Sequence, residues 1–468
     1  MTPDQPTRSD PVVAGLSEVV GGPMGDHGTR HPWWTPVRVI LVMVAVTFAL
    51  GMVQKTDCYS ASWQNGEDRY ATMCYSDIPY LYLGRGFAEL EWPYIDDQAV
   101  RDRYQTMEYP VLISYWAFGA AAITHGLEGF PDLRERNLTP YDDLWSKFDL
   151  GQESNLFVVV NALGFAALAL LAAWCLAKVN PRRGWDAAAF ALSPLLALTA
   201  LINWDLLAVA LVAAALLAWS RSRPMLTGVL IGLGIAAKLY PLFLLGGIVV
   251  FAFRDRRQLG PAVKAWIGAG LAWALVQLPA YLSSPEQWKV FWRFNSERAA
   301  DLGSVWIAAE GLFNTTFSAS TINQASWAFF GAWCLAVLAL GLAAPRTPSL
   351  AQLGFLLVAG FLIVNKVYSP QYVLWLLPLA ALARPRWRDQ IVWQACELFY
   401  FASVWWYLGG YLASPGTTDV GFYWLAIAVR VAGEVYLVVR VIRDILRPDQ
   451  GADQPNLGAS EDAMSVRI

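Results

Sequence analysis

Apolar stretches of about 20 residues recur along the chain, and this feature most restricts what the chain can fold into. A helix needs about 20 consecutive apolar residues to cross a hydrocarbon core about 30 Å thick. Because these stretches do not alternate between polar and apolar residues, they predict helices and exclude a β-barrel. The predicted spans are roughly 36–53, 156–177, 185–202, 203–220, 260–282, 321–343, 350–364, 370–383, 390–412 and 420–440.

Charge and aromatic content support the same fold class. Charged residues make up 15% of the chain, whereas a soluble domain carries about 25%. The net charge of −3 argues against nucleic acid as a partner. The 23 Trp and 19 Tyr residues suit rings placed at a bilayer interface. We therefore predict an all-α integral membrane protein with the lipid bilayer as its solvent.

The positions of Arg and Lys predict which ends of the spans face the cytoplasm. Basic residues flank Met225–Phe253 on both sides, so this segment is predicted to cross outward and return, with Lys238 and Pro241 at the outer turn. The apolar segment 110–125 is predicted to lie along the outer leaflet without crossing. This gives about twelve spans with both termini in the cytoplasm, in a multi-pass protein of the plasma membrane.

The domain organisation follows from these spans. One polytopic domain is predicted over 34–447, with large external loops at about 54–155 and 283–320. The polar segments 1–33 and 448–468 are predicted to be disordered cytoplasmic tails. The first external loop is acidic, whereas later external turns carry basic residues, so the polar chemistry is expected on the external face.

Cysteine and histidine are few. Cys58 and Cys74 lie in the first external loop, where oxidation would allow a disulfide; the alternative is two unrelated thiols. With three His and no Cys-x-x-Cys motif, the sequence indicates no metal site. The adjacent Asp96 and Asp97 could hold a divalent cation, but such pairs usually mark a solvated turn. No cofactor is therefore predicted to be required.

Acidic residues in the first loop are candidates for catalysis. Asp77 lies among aromatic residues at a predicted membrane interface, where a raised pKa would suit a general base; the alternative is one acid among ten on a solvated loop. Glu108 precedes Tyr109 and Pro110 at a helix start. It is either an acid favoured by the helix dipole or a hydrogen-bond acceptor for a polar ligand.

Three basic residues are candidates for binding an anion. Lys366 lies in a dense polar turn between two apolar segments, which suits a phosphate. Arg298 can present its planar fork to a phosphate or carboxylate, with Asn295 and Asp301 nearby for hydroxyls; an Arg298–Asp301 helix pair is the alternative. Lys238 is the third candidate, although a lysine at a helix end also reaches the interface without a functional role.

A polar span start supplies a candidate sugar contact. Asn203, Trp204 and Asp205 combine an aromatic face with two hydrogen-bonding side chains. The alternative is a simple helix start with Asn203 as the N-cap.

Several of these elements follow one another in an order known from a protein family. They are Asp77, Tyr109-Pro110, Asn203-Trp204-Asp205, Ala237-Lys238-Leu239-Tyr240-Pro241, the polar loop 294–306, and Tyr368-Ser369-Pro370-Gln371-Tyr372. Over about 36–445 the chain resembles the GT-C superfamily of membrane glycosyltransferases, specifically the polyprenyl-phosphate-mannose-dependent transferases of glycosyltransferase family 87. It departs from the pattern after Asp77, where no second acid follows.

The resemblance implies inverting transfer of a mannosyl unit from a polyprenyl-phosphate donor to a cell-envelope glycan or glycolipid. Asp77 would be the catalytic base, and Lys238, Arg298 and Lys366 would bind the donor phosphate. Substrate contacts are predicted at Glu108, Tyr109, Asn203, Trp204, Asp205, Tyr240, Asn295, Asp301, Tyr368 and Gln371. Alternatives are an arabinofuranosyltransferase that uses decaprenyl-phosphate-arabinose, a lipid or sugar transporter or flippase, and a non-catalytic scaffold.

Overall fold

The computed structural model of the protein describes residues 33–413 and 420–447. Within these ranges the regular structure is helical, with no β-strand. The predicted tails 1–33 and 448–468 lie outside the described residues, apart from Trp33. The structure therefore concerns the predicted transmembrane domain.

One long apolar helix is followed by a segment of mostly short helices. These are α1 (Pro36–Gln54), α2 (Thr56–Ser60), α3 (Asp68–Ala71), α4 (Asp77–Gly84), α5 (Gln98–Arg103), α6 (Val111–Leu127), α7 (Leu133–Leu138) and α8 (Tyr141–Lys147). A 3₁₀ turn at Phe87–Glu89 follows α4. A disulfide joins Cys58 and Cys74 in this segment, with 5.7 Å between their Cα atoms.

The remainder of the chain forms a bundle of mostly apolar helices. They are α9 (Leu150–Val179), α10 (Ala188–Ala191), α11 (Pro194–Thr199), α12 (Asp205–Ser220), α13 (Pro224–Ala237), α14 (Leu242–Arg254), α15 (Leu259–Ser283), α16 (Pro285–Glu297), α17 (Val305–Phe313), α18 (Ala319–Ala343), α19 (Leu350–Val364), α20 (Val373–Ala383), α21 (Trp387–Leu408) and α22 (Gly421–Leu446). Helices α9, α12, α13 and α15 pack side by side in that order, and α21 packs along α22.

The described residues contain four helices that are long and apolar enough to cross a membrane: α1, α9, α15 and α18. Much of their apolar surface faces outward; on α15, Leu271, Leu275, Leu278 and Leu282 are all exposed. A continuous apolar surface of this kind is unfavourable in water and normal in lipid. The chain therefore has the character of a membrane protein. Six further apolar helices are shorter, so the number of twelve spans stays a prediction.

The predicted span at 185–202 is not one helix. A 3₁₀ helix over Pro181–Ala187 leads into α10, and α11 starts only at Pro194. Proline disfavours the helical conformation of the residue before it, and Ser193 is indeed extended. The chain reaches Asn203 through this broken segment, and α12 starts two residues later.

The predicted out-and-return segment is a helix–turn–helix made of α13 and α14. Lys238 has an extended backbone and ends α13, and Pro241 precedes α14. The backbones of α13 and α15 come into direct contact at Gly228 and Gly232 of α13, where no side chain separates the two helices. A Cβ atom at Gly228 would lie 2.0 Å from the carbonyl oxygen of Ala265, and one at Gly232 would lie 2.3 Å from that of Ala269.

The α6 helix, predicted to lie along the outer leaflet, packs antiparallel to the first half of α9. The indole of Trp116 donates to Asn161 at 3.1 Å, and His125 lies 3.4 Å from Glu153. Arg136 donates to Glu153 with both terminal nitrogens, at 2.8 and 2.5 Å. This buried ion pair anchors the segment between α1 and α9 to the start of α9, against which α6 packs.

Candidate active site

A cavity of about 630 Å³ lies where the turn segments of the bundle meet α4 and the start of α6. It brings together residues that are far apart in sequence. The predicted site residues that line it are Asp77, Glu108, Tyr109, Asn203, Lys238, Tyr240, Asn295, Arg298, Lys366 and Gln371. An acid, three cations and several uncharged polar side chains therefore share one cavity.

Asp77 begins α4 and is fixed to the start of the bundle. Ser76 caps the helix by accepting from the backbone N–H of Ile78, and the backbone N–H of Asp77 donates to the carbonyl of Ile202 at 2.8 Å. Its Oδ2 accepts from the amide of Asn203 at 2.8 Å and from the hydroxyl of Tyr109 at 3.3 Å. The carboxylate is thus held in one orientation at the cavity wall.

Burial raises the pKa of Asp77 above its usual range, although hydrogen bonds from Tyr75 and Asn203 and the charge of Lys238 oppose the shift. A carboxylate taken out of water loses more solvation than its protonated form, so it binds a proton more strongly. A raised pKa makes the carboxylate a better general base near neutral pH. Asp77 therefore combines access to the cavity with the basicity needed to accept a proton.

We expect activity to fall as the pH is lowered through the raised pKa of Asp77, because only the carboxylate can accept a proton. Tyr109→Phe removes a hydrogen bond that stabilises the carboxylate. The pKa should rise further, and the acidic limb of the rate profile should move to higher pH. Tyr59→Phe, at an exposed tyrosine, is the control. An unchanged limb in Tyr109→Phe would show that another group controls it.

Lys238 is held at the cavity by a buried acid. Its Nζ lies 3.4 Å from Oδ2 of Asp205 and 4.9 Å from the ring centroid of Tyr109. Asp205 is fully buried, and its other oxygen accepts from the indole of Trp375 at 2.6 Å. Asp205 was predicted to contact substrate, but it does not line the cavity. Its carboxylate instead positions Lys238.

Trp204 also lies behind the cavity wall. It is fully buried, and its indole donates to Asn161 at 2.8 Å. Its ring meets that of Tyr109 edge-on, at 5.8 Å between centroids. Trp204 was predicted to contact a sugar with its ring, but protein residues surround that ring and leave no face for a ligand.

Besides Lys238, two further cations line the cavity: Arg298 and Lys366. Arg298 donates to Oδ2 of Asp301 from two nitrogens, at 2.8 and 2.5 Å, and Lys366 donates to Asn323 at 2.7 Å. Burial and the positive charge of Arg298 both lower the pKa of Lys366. A bound anion would offset that repulsion, so this end of the cavity favours a phosphate. Asp301 itself pairs with Arg298 and does not line the cavity.

The backbones of the two segments that carry these cations are bonded to each other. The N–H of Asp301 donates to the carbonyl of Lys366 at 2.8 Å, and the N–H of Tyr368 donates to that of Leu302 at 2.6 Å. Tyr368 is fully buried, and its hydroxyl donates to Glu397 at 3.0 Å. Tyr368 therefore supports the cation segments from behind and is absent from the cavity wall.

Helices α21 and α22 brace these paired segments with a buried polar network. The guanidinium of Arg430 lies 3.7 Å from the ring centroid of Tyr368 and donates to the carbonyl of Gly303 at 3.3 Å. The hydroxyl of Tyr423 accepts from the N–H of Gly303 at 2.9 Å, and that of Tyr400 donates to the carbonyl of Tyr368 at 2.6 Å. Two C-terminal helices thus determine where Arg298 and Lys366 lie.

Gly303→Ala is expected to unfold this arrangement. Gly303 has a φ of +69°, and a Cβ atom there would lie 1.9 Å from the hydroxyl of Tyr400. Gly410→Ala is the matched control, because Gly410 has a φ of +74° with open space around it. The backbone conformation alone costs about 1–2 kcal/mol, so Gly303→Ala should lower the melting temperature more than Gly410→Ala. Equal losses would contradict the brace.

An apolar surface from α18 and α19 continues from the cations. Ile322, Trp327 and Phe330 recur at helical spacing on α18 and line the cavity, with Phe361 of α19 beside them. Phe330 and Phe361 pack together, with 5.6 Å between ring centroids. These residues could not be distinguished in the sequence, because apolar residues at helical spacing are typical of any span.

Other features of the site were also missed from the sequence. Tyr70, Tyr75 and Trp405 line the cavity near Asp77. Lys55 is buried behind Tyr75, whose carbonyl it contacts at 2.9 Å; burial lowers its pKa to about 7, although the charge of Asp77 opposes the shift. Of these residues, only Tyr75 could have been expected at the site from the sequence, because it lies two residues before Asp77. Within the described ranges, no group of three His, Cys, Asp or Glu side chains could hold a metal ion.

Comparison with known proteins supplies the class of chemistry. The family model of glycosyltransferase family 87 matches residues 147–370. No curated protein gives a significant match. The matched region contains Lys238, Arg298 and Lys366, whereas Asp77 lies before it and the brace from α21 and α22 lies after it. The match covers just under half of the chain, and together with the all-helical fold of membrane character it supports a glycosyltransferase of family 87.

Proposed function

We propose that the protein transfers a mannosyl unit from a polyprenyl-phosphate donor to a hydroxyl of a cell-envelope glycan or glycolipid. The observation that carries this proposal is that one cavity contains a basic carboxylate, three cations and an apolar surface. A prenyl-phospho-sugar has matching parts: a reactive sugar, a phosphate and a long apolar chain. A soluble nucleotide donor would have no use for the apolar surface.

The reaction is a single displacement at the anomeric carbon. Asp77 takes the proton of the acceptor hydroxyl as its oxygen attacks, and the bond between the anomeric carbon and the phosphate oxygen breaks. The lipid phosphate leaves as a dianion, so negative charge grows on it in the transition state. Lys238, Arg298 and Lys366 would stabilise that charge in a partly dry site. One displacement gives inversion of configuration.

The donor's lipid chain would lie along the surface of Trp327, Phe330 and Phe361. Asn323, which holds Lys366, is on the same helix as Trp327 and Phe330 and precedes them by about one and two turns. A phosphate bound to Lys366 would therefore have an apolar path beside it. Of the apolar segment 110–125, only Pro110 lines the cavity, so we favour α18 and α19 as the path of the lipid chain.

The external orientation is part of the proposal, together with the GT-C architecture and cytoplasmic termini. Helices α12, α14 and α20 start beside the cavity and end next to Arg221, Arg254 and Arg384, respectively. The ends away from the cavity are thus basic, which favours their placement in the cytoplasm. The cavity would then open toward the outer face of the plasma membrane, where lipid-linked sugars are used.

Transfer of radiolabel from polyprenyl-phosphomannose into lipid-extractable glycan tests the proposal. Membranes that contain the protein are compared with membranes that lack it, and polyprenyl-phosphoarabinose is run in parallel. We expect protein-dependent incorporation from the mannosyl donor. Incorporation from the arabinosyl donor alone would replace mannose with arabinofuranose, and incorporation from neither donor would contradict a polyprenyl-phosphate-sugar transferase.

A further inference from the structure

A group of aromatic residues near Asp77 has no assigned role. Tyr70 and Tyr75 come from the first external segment, and Trp405 comes from α21; together with Leu408 they line the cavity. We call these four residues the aromatic wall. The rings contact one another, with centroid distances of 5.8 Å for Tyr70–Tyr75 and 5.4 Å for Tyr75–Trp405. The wall thus joins the segment that carries Asp77 to the C-terminal helices.

The aromatic wall is held firmly from behind. The guanidinium of Arg69 lies 4.9 Å from the ring centroid of Tyr70 and 5.7 Å from that of Tyr75. Arg69 also donates to the hydroxyl of Tyr80 at 3.0 Å. Cys74 comes directly before Tyr75 and is bonded to Cys58. These contacts fix the wall, and the charge of Arg69 lies against its rings although Arg69 itself does not line the cavity.

Trp405 contains the observation that points to a ligand. Its side chain is 2% exposed, and its indole N–H has no hydrogen-bond partner among the described residues. Buried N–H groups almost always have a partner, so an unpartnered one on a cavity wall calls for an acceptor from a bound molecule. The hydroxyl of Tyr75, a neighbour of Trp405, lies beside the Asp77 carboxylate. A molecule bound to the indole would therefore lie close to the base.

The chemistry of the wall indicates what kind of molecule fits. The four wall residues carry no charge of their own, and none of the cations Lys238, Arg298 and Lys366 belongs to the wall, so the phosphate is expected to bind those cations elsewhere in the cavity. Tyrosine and tryptophan combine an apolar ring with a polar group, which suits a sugar that has both C–H faces and hydroxyls. A neutral sugar ring fits this environment better than an anion or a lipid chain.

We propose that the aromatic wall binds the acceptor as a neutral sugar ring, with an oxygen of that ring accepting from the indole of Trp405. The ring's reactive hydroxyl then faces Asp77. This inference rests on the proposed function, since it names where the second substrate of that reaction binds. It also separates the two substrates: the donor phosphate contacts the cations, and the acceptor contacts the wall.

The test is Trp405→Phe. This variant keeps a six-membered aromatic ring in the stack and removes the five-membered ring that carries the indole N–H. The acceptor probe is octyl mannoside, with polyprenyl-phosphomannose as donor. We expect the KM for octyl mannoside to rise about three- to tenfold, as for one lost neutral hydrogen bond. The KM for the donor should stay unchanged.

Trp63→Phe is the matched control. Trp63 is also 2% exposed with an unpartnered indole N–H, but it does not line the cavity. This variant should show wild-type KM values for both substrates. Tyr70→Leu is a second variant, for the case that Trp405→Phe does not fold; it removes an aromatic face from a less buried position and should also raise the acceptor KM alone.

The outcomes distinguish this inference from the proposed function. An unchanged acceptor KM in a folded Trp405→Phe variant, or equal rises in acceptor and donor KM, would overturn the acceptor site while wild-type transfer continued. A wild type that transfers mannose neither to octyl mannoside nor to membrane acceptors would contradict the proposed function itself.

Discussion

Asp77→Asn is expected to lower the transfer rate by about 10²–10⁴-fold, the usual contribution of a general base. Asparagine has nearly the same shape, and its side-chain oxygen can still accept from Asn203 and Tyr109. The substitution therefore removes the proton acceptor with little change in packing. Initial rates of radiolabel transfer from polyprenyl-phosphomannose measure the effect, and thermal unfolding in detergent shows whether the fold is retained.

Asp57→Asn is the control for this experiment. Asp57 is an exposed aspartate of the same segment between α1 and α9, in the first turn of α2. It should keep the wild-type rate. If folded Asp77→Asn protein retained more than about a tenth of the wild-type rate, Asp77 would not be the base, and the role would have to pass to another group at the cavity.

Lys366→Met should produce the second large effect, a loss of about 10²–10³-fold in kcat. Methionine has a similar length and shape without the charge, so the variant removes one of the cations that we propose to stabilise the leaving phosphate. Because this charge develops mainly in the transition state, kcat should fall more than the donor KM rises. Steady-state kinetics with varied donor separate the two constants.

Lys289→Met serves as the control for charge alone. Lys289 is exposed on α16 and pairs with Glu286 outside the cavity, so its loss should leave kcat unchanged. Inhibition by added polyprenyl phosphate gives an independent measure, since Lys366→Met should also bind this product less tightly. Wild-type kcat in Lys366→Met would exclude Lys366 from the leaving-group site.

Much of the fold and of the polar site could be predicted from the sequence. Apolar stretches predicted α1, α9, α15 and α18 because a membrane imposes length and composition on a helix. The turn at Lys238 could be placed from the basic residues that flank its two helices. The shared cavity of Asp77 and the cations follows from the polar turns that connect apolar helices.

The remaining features depend on contacts between distant segments. Asp205 and Trp204 look like ligand-binding residues in sequence, and only their partners in space, Lys238 and Asn161, show that they are buried supports. Arg430 lies inside an apolar helix, where no sequence rule identifies Gly303 as its partner. The same applies to Trp405, whose unpartnered N–H is a property of its surroundings.

The break at 185–202 has a different cause. Pro194 was visible in the sequence, yet the stretch was predicted as one span because its composition is apolar throughout. Apolar composition indicates where the chain is buried or in contact with lipid, and proline decides whether it is a continuous helix. The broken segment matters for the site, since it delivers Asn203 to Asp77.

Because α13 contacts α15 directly at Gly228 and Gly232, the position of the Lys238 charge depends on these two glycines. Gly228 lies ten residues before Lys238, or about 15 Å along the helix. Any larger residue at Gly228 or Gly232 would push α13 away from α15 and would move Lys238 with it. A survey of random inactivating mutations should therefore find a second, remote group of sensitive positions inside the bundle. The tolerance of this protein to sequence change is set as much by that helix contact as by the cavity.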